Sequence, residues 1–334
     1  MKKKLNKDFK DVDFKLPCSE VMWQRYTEYK KRLLSSQSYS PSLYWKQREE
    51  SFNIRYVEGF VYLNGLYKRD VSKETNIGNL FQKLKVRIEI YYRFFLRKIF
   101  FTKSKPPIPK MSTKEEYILN RKQIYNKDYK DTVRSILEEY YDTDHEDVYA
   151  KHMDIIRCLE KYLNVDSRNS FVEIGSGSGV LAFFLVNRLG FKKANLIDLP
   201  IMIPICFFWL SSVVGEKFVS LPGEQISPEI VYRLWNAGDV GIPDHSIDLA
   251  INVTSFQEMN HKLVKEYFQL IKKWLIPKGF FMCVNRWSKA TDFWLYPYFL
   301  FKNFKTMIFD EVLTSRHSSM SKIIVKKLIR LTNN

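Results

Sequence analysis

Phe171-Val172-Glu173-Ile174-Gly175-Ser176-Gly177-Ser178-Gly179 is an apolar run that ends in an acid and is followed by three glycines at alternate positions. Val180 to Leu189 continues as an apolar stretch that reads as a helix, and Ala194 to Ile197 as a second strand closed by Asp198. Strand, glycine turn, helix and strand form the entrance to a nucleotide-type pocket in an open α/β sheet. Glycine allows the sharp turn and lets backbone approach a ligand where a side chain would collide. Asp198, at the end of the second strand, can accept both hydroxyl hydrogens of a ribose.

Outward from that core, the C-terminal half alternates strands and helices. Strands are expected at 170–174, 194–198, 217–221, 247–252 and 279–285, with two consecutive ones closing the chain at Thr306 to Leu313 and Lys322 to Ile329. Such alternation predicts a mostly parallel sheet covered by helices on both faces. Residues 222–236 read as an insertion near the pocket. The apolar run Ile201 to Leu210 is interrupted by Pro204 and is too short to cross a bilayer; it reads as a buried helix.

The glycine spacing is G-x-G-x-G with an acid two residues before it, not the dinucleotide G-x-G-x-x-G. It resembles the S-adenosylmethionine (SAM) methyltransferases of the Rossmann-like class I type. The fold implied is an α/β, seven-stranded, mostly parallel sheet with helices on both faces and a final hairpin. The resemblance implies that Glu173 lies near the methionine end of SAM. It places Gly175, Gly177 and Gly179 under ribose and methionine, and Asp198 on the ribose hydroxyls. Ser176 and Ser178 stand where glycine and an aromatic are common, and both are small enough to leave room.

Two later stretches extend the resemblance. Gly238-Asp239-Val240-Gly241-Ile242-Pro243, followed by Ile247-Asp248-Leu249, is similar to the run that opens the fourth strand of this class. It implies Asp239 near the adenine amine and Asp248 as a structural acid; a solvated turn residue is the plainer reading of Asp239. Asn252-Val253-Thr254-Ser255-Phe256-Gln257-Glu258-Met259-Asn260-His261 resembles the bacterial sugar O-methyltransferase family associated with surface-polysaccharide synthesis. Ile197-Asp198-Leu199-Pro200 and Asn285-Arg286 are similar to that family too, and the match covers residues 145–290. The cofactor set is then Glu173, Gly175, Ser176, Gly177, Gly179, Asp198, Leu199, Asp239 and Asn252.

A sugar hydroxyl has a pKa far above 7, so its attack on a sulfonium methyl is helped by a base. Glu258 and His261 are three apart and would share a face on one helix; either could be that base. The competing readings are that Glu258 orients the loop and that His261 is a surface residue at a helix start. Ser255 and Arg286 are candidate substrate contacts, Arg286 for an acidic or phosphorylated sugar. The four scattered cysteines and five histidines show no metal spacing, so no metal is expected.

The net charge of +17 is uneven: residues 1–140 hold 31 Lys and Arg against 17 Asp and Glu, the remainder 23 against 20. The basic front implies an acidic partner. The organisation expected is a basic, mainly helical N-terminal extension over 1–143 and a SAM-dependent domain over 144–334. Residues 1–17 read as loosely attached, and helices are expected at 20–34, 80–101 and 112–141 and from Asp144 to Leu163. The helix from Lys83 to Lys105 interleaves basic and aromatic residues and could touch an anionic membrane or pack on the domain. No signal peptide is visible, which with the cysteine usage suggests the cytoplasm, with peripheral contact at the inner membrane face. The expected acceptor is a sugar or glycan, free, lipid-linked or nucleotide-linked. An RNA or protein methyltransferase and a non-catalytic binding protein on the same fold are the alternatives, and nucleic acid is the less favoured partner.

Overall fold

The computed structural model describes residues 14–35, 52–65, 146–163, 168–286, 304–316 and 320–331. The helices expected at 80–101 and 112–141 lie outside the described residues, as do residues 1–13.

The chain begins with β1 (Phe14–Pro17) and α1 (Glu20–Ser35), followed by β2 (Asn53–Val57) and β3 (Phe60–Asn64). These three strands form an antiparallel sheet of order β1-β3-β2. The loose attachment expected over 1–17 therefore fails at 14–17, where Phe14 to Pro17 pair with Leu63 to Phe60. The cause is long-range, since the partner strand lies more than 40 residues away in sequence. Then come α2 (Glu146–Tyr162), β4 (Ser170–Ile174), α3 (Val180–Asn187), β5 (Lys193–Asp198), α4 (Ile203–Val214), β6 (Val219–Ser220), β7 (Tyr232–Asn236), β8 (Ile247–Val253), α5 (His261–Trp274), β9 (Leu275–Arg286), β10 (Phe304–Arg316) and β11 (Met320–Leu331).

The main sheet has the order β10-β11-β9-β8-β4-β5-β7-β6. Six neighbouring strands, β9 through β6, run parallel. β11 enters antiparallel between β9 and β10, making the expected closing hairpin. This is the expected Rossmann-like α/β architecture, with eight strands where seven were expected. The added strand is β7, which pairs along β5 from Ala194–Tyr232 to Asp198–Asn236. The insertion reading of 222–236 is thus corrected at its C-terminal end. Tyr-Arg-Leu-Trp-Asn is short, and an arginine interrupts its apolar run, so nothing local marks it as a strand. The segment expected at 217–221 shrinks to the two-residue edge β6 after a 3-10 turn.

The central strands are buried on both faces; every residue of β8 is buried. One face packs Phe171, Leu196, Leu249, Ile251 and Met282 against α2, α3 and α4. The other packs Val172, Ile174, Ala250 and Phe281 against Val264, Tyr267, Ile271 and Trp274 of α5. Asp248 does serve structure, its Oδ2 accepting the Ser170 N–H at 2.8 Å.

α4 is apolar all round, and residues 203–211 are all buried. A helix of that kind needs cover on both sides. The sheet covers one side and the N-terminal segment the other. Tyr26 meets Phe208 edge-on with ring centroids 5.3 Å apart. Met22, Tyr26 and Tyr29 of α1 and Leu16 of β1 belong to the same buried core as α4. Arg25 fastens this packing. It forms a two-point ion pair with Glu224 and donates to the carbonyls of Glu216 and Val219 at 2.9 and 2.7 Å. The described parts of the N-terminal extension therefore share a core with the sheet, and they contain strands as well as the expected helix at α1.

Candidate functional site

The sheet order reverses its direction of growth at β4: the chain next builds β5 on one side and later adds β8 on the other. Ligands of open α/β sheets bind beyond the carboxyl ends of the strands at such a point. Two chain segments meet there, the glycine turn after β4 and the loop after β8.

The three glycines all have φ between +58° and +81°, a region costly for any other residue. Their surroundings divide them. A Cβ on Gly175 would lie 2.2 Å from Ser255 Oγ, and one on Gly179 would lie 2.9 Å from Cys206 Sγ and from Leu210. Among the described residues Gly177 would meet nothing within 4 Å. The first and third glycines are thus fixed by close packing of the protein on itself, and the middle one faces open space.

The turn also crosses to the neighbouring strand. The N–H groups of Gly175 and Ser176 donate to the Ile197 carbonyl at 2.8 and 3.3 Å. This brings Gly177 to Asp198, whose Oδ2 accepts the Gly177 N–H at 2.6 Å and whose Oδ1 accepts the Leu199 N–H at 2.7 Å. Asp198 is buried, and its carboxyl is pushed up to about 7. Burial is the dominant cause; the two backbone hydrogen bonds oppose it, and the charge of Glu258 adds to it. Each carboxylate oxygen retains lone-pair capacity beyond its backbone bond.

Glu173 is buried at 3% exposure, on the strand face that Phe171 also occupies. Glu173 and Asp198 both raise the Cys206 thiol, after burial as the main cause, while a Ser176 hydrogen bond lowers it. Ser176 is itself buried. Two acids therefore converge beneath the turn, and Glu258 brings a third within electrostatic reach. The site is acidic in a chain whose net charge is +17.

The loop after β8 is organised by a buried amide pair. Asn252 is fully buried. Its Nδ2 donates to the Ile174 carbonyl at 2.8 Å and to Ser255 Oγ. Its Oδ1 accepts from Asn285 Nδ2 at 2.7 Å and from the Phe256 N–H at 3.3 Å. The side-chain hydrogen-bonding groups of Asn252, expected from sequence to meet a cofactor, are thus engaged within the protein. Ser255 likewise donates to the Ile174 carbonyl at 2.9 Å and lies against Gly175. It is half-buried beside the glycine turn.

Thr254, just before Ser255, adopts φ +61°, a strained conformation for a β-branched residue. Glu258 ends the 3-10 turn Phe256–Glu258, and His261 is the first residue of α5, with extended Met259 and the helix cap Asn260 between them. They therefore do not sit on one helix, and the shared helical face expected from sequence is not formed. Glu258 is half-buried and is the candidate whose charge reaches Asp198. Arg286 is the last residue of β9; its side chain and that of His261 lie outside the described residues.

Asp239 is exposed in the turn after β7. Its N–H donates to the Asn236 carbonyl at 3.0 Å, and Ala237 N–H donates to the Asp198 carbonyl at 2.8 Å. The turn carrying Asp239 is thereby tied to the strand end carrying Asp198. Sequence reading missed Asn236 and Tyr29, whose hydroxyl donates to Asn236 Oδ1 at 2.7 Å. No local signal marks either residue, because the bond joins positions 207 residues apart. Among the described residues no group of His, Cys, Asp and Glu is arranged to hold a metal ion.

No protein-family model matches the chain, and no curated protein matches it. Among solved structures it is similar to a SAM-dependent methyltransferase from Methanosarcina mazei, with 14% identity over 53% of this chain and 98% of that one and a TM-score of 0.39. It is similar to a candidate sarcosine dimethylglycine methyltransferase from Galdieria sulphuraria, with 12% identity over 56% and 86% and a TM-score of 0.41. A third is the structure describing conversion of a disulfide bond into a thioacetal group during echinomycin biosynthesis, with 13% identity over 53% and 80% and a TM-score of 0.38. These scores are too low to bear on function, and the fold is established by the strand order and register.

Proposed function

We propose that this chain is a SAM-dependent O-methyltransferase whose acceptor is a sugar hydroxyl of a surface glycan. The observation that carries the cofactor reading is Asp198. It is a buried carboxylate at the end of β5, held by two backbone N–H groups beside the open space over Gly177. A ribose diol suits that arrangement, since each hydroxyl can donate to one carboxylate oxygen. The acidic floor fits a cofactor that carries a sulfonium and an ammonium cation, and it disfavours a pyrophosphate. When bound, SAM would supply an electrophilic methyl group.

Asp198 would hold the ribose and Glu173 would face the methionine end, with Gly177 giving backbone-close access. Asp239 would lie on the adenine side. Leu199 would contribute its place beside Asp198. The Asn252–Asn285–Ser255 network would keep the glycine turn and the loop after β8 in fixed relation, which favours in-line alignment of acceptor and donor. Glu258 is the better candidate for the base that takes the hydroxyl proton. It stands half-buried at the end of the loop after β8, where a side-chain oxygen can take a proton from a bound hydroxyl.

The sugar acceptor is supported by the run Asn252 to Met259 and by Asn285-Arg286. We infer a free, nucleotide-linked or lipid-linked acceptor, with the basic N-terminal region available to an anionic membrane from the cytoplasmic side. No helix among the described residues is long and apolar enough to cross a membrane. The deciding experiment is calorimetry with SAM and S-adenosylhomocysteine, followed by methyl-transfer assays with labelled SAM and nucleotide-sugars, glycans or RNA as acceptors. Micromolar cofactor binding with transfer to sugar is expected. Absence of binding overturns the cofactor reading, and transfer to RNA alone overturns the acceptor.

A further inference from the structure

We infer that the N-terminal helix α1 is a working part of the cofactor site, with Tyr29 as a positioning residue that acts through Asn236 on the adenosine pocket. The inference rests on the SAM reading of the site. Tyr29 is 2% exposed, its ring buried in the core shared with α4 and its hydroxyl donating to Asn236 Oδ1 at 2.7 Å. Asn236 is the last residue of β7 and the register partner of Asp198. From Asn236 the chain enters a tight turn in which Asp239 N–H returns to the Asn236 carbonyl, while Ala237 N–H bonds the carbonyl of Asp198 itself. Gly238, at φ +92°, faces open space within that turn. The carboxylate proposed for ribose and the acid proposed for adenine therefore hang on one short backbone segment, and α1 fixes that segment from outside the sheet.

α1 is itself anchored. Ser19 caps it at the Met22 N–H and donates to Glu216, and Arg25 clamps Glu224 and the carbonyls of Glu216 and Val219. A phenol held this firmly can impose a position on Asn236 instead of following it. A side-chain amide at a strand end is otherwise free to rotate between solvent and protein partners, which would let the turn move.

The full chain would be titrated with S-adenosylhomocysteine and with 5′-methylthioadenosine, a probe that lacks the amino-acid half. The proteins compared are wild type, Tyr29→Phe, Asn236→Ala and the double variant. Tyr29→Phe retains the buried ring, and thermal melting checks the fold. Each single variant should bind both probes about five- to tenfold more weakly, the usual worth of one buried hydrogen bond. The double variant should lose no more than the worse single one, because both remove the same link. The Michaelis constant for the acceptor should stay within about twofold, since a defect confined to the adenosine pocket does not move it.

Equal binding of both probes by wild type and Tyr29→Phe overturns the inference, even if the melting temperature falls. Losses that multiply in the double variant overturn it as well. A wild type that binds neither probe overturns the SAM reading and this inference with it, an outcome distinct from the other two.

Discussion

The two sides of the site are built differently. On the β4–β5 side, backbone does the positioning: Gly175, Ser176 and Gly177 reach across to β5, and Asp198 is caught between two N–H groups. On the β8 side, a side-chain network positions a loop that contains a left-handed threonine, and the candidate base stands at its far end. A backbone-built pocket is suited to a part that never varies, such as a cofactor. A loop held by side chains can be retuned by substitution, which suits an acceptor.

Four experiments test that contrast, from the largest expected effect downward. Glu258→Gln keeps the shape and removes the base, so turnover should fall about 10²–10⁴-fold with cofactor affinity nearly unchanged. Unchanged turnover in a single-turnover assay would remove Glu258 from the chemistry. Asp198→Ala should behave oppositely, weakening S-adenosylhomocysteine by about 100-fold through the loss of two charge-assisted hydrogen bonds. Calorimetry showing wild-type affinity would eliminate the ribose assignment.

Gly175→Ala would put a methyl group 2.2 Å from Ser255 Oγ in a left-handed conformation and should cost about 2–3 kcal/mol of stability. Gly177→Ala, facing open space, should cost about 1–2 kcal/mol from its left-handed backbone alone and yet weaken the cofactor more. Denaturant titration and calorimetry on both variants separate packing from binding; the reverse pattern would contradict the assigned roles.

The smallest effect is a pH dependence. Burial raises the Asp198 carboxyl to about 7, and ribose hydroxyls held as proposed would need its ionised form. Affinity should be full above about pH 7 and fall by up to about tenfold per unit below it. Proton uptake or release in calorimetry across buffers measures it directly, and Asp198→Asn should flatten the profile. The sign for stability is opposite. The folded pKa lies above the ordinary carboxylate value, so the folded state binds the proton more tightly between about pH 4 and 7. The stability this contributes is present below pH 4 and is lost as pH rises through 7.

Legibility followed the same division. The glycine turn, Asp198 and the central strands could be read because their signals are local: alternate glycines, an acid closing an apolar run, helices between strands. β7 could not, since five residues with an arginine in second place become a strand only by pairing with β5. Asn252 was legible as a residue at a ligand-facing strand end, but its burial against Asn285 was not. His261 and Glu258 were three apart in sequence, yet an extended residue and a helix cap separate their elements.

The N-terminal segment is the clearest case. Its basic charge is written in the composition, and the helix of α1 in its periodicity. The apolar circumference of α4 called for a cover on a second side, without saying which residues supply it. Sequence alone determined the parallel α/β core and the acid at the end of β5, because hydrophobic period and glycine spacing act over a few residues. Strand β7, the cover over α4 and the bond from Tyr29 to Asn236 were decided by the tertiary structure. Each depends on contacts whose partners are brought together only when distant segments pack around one core.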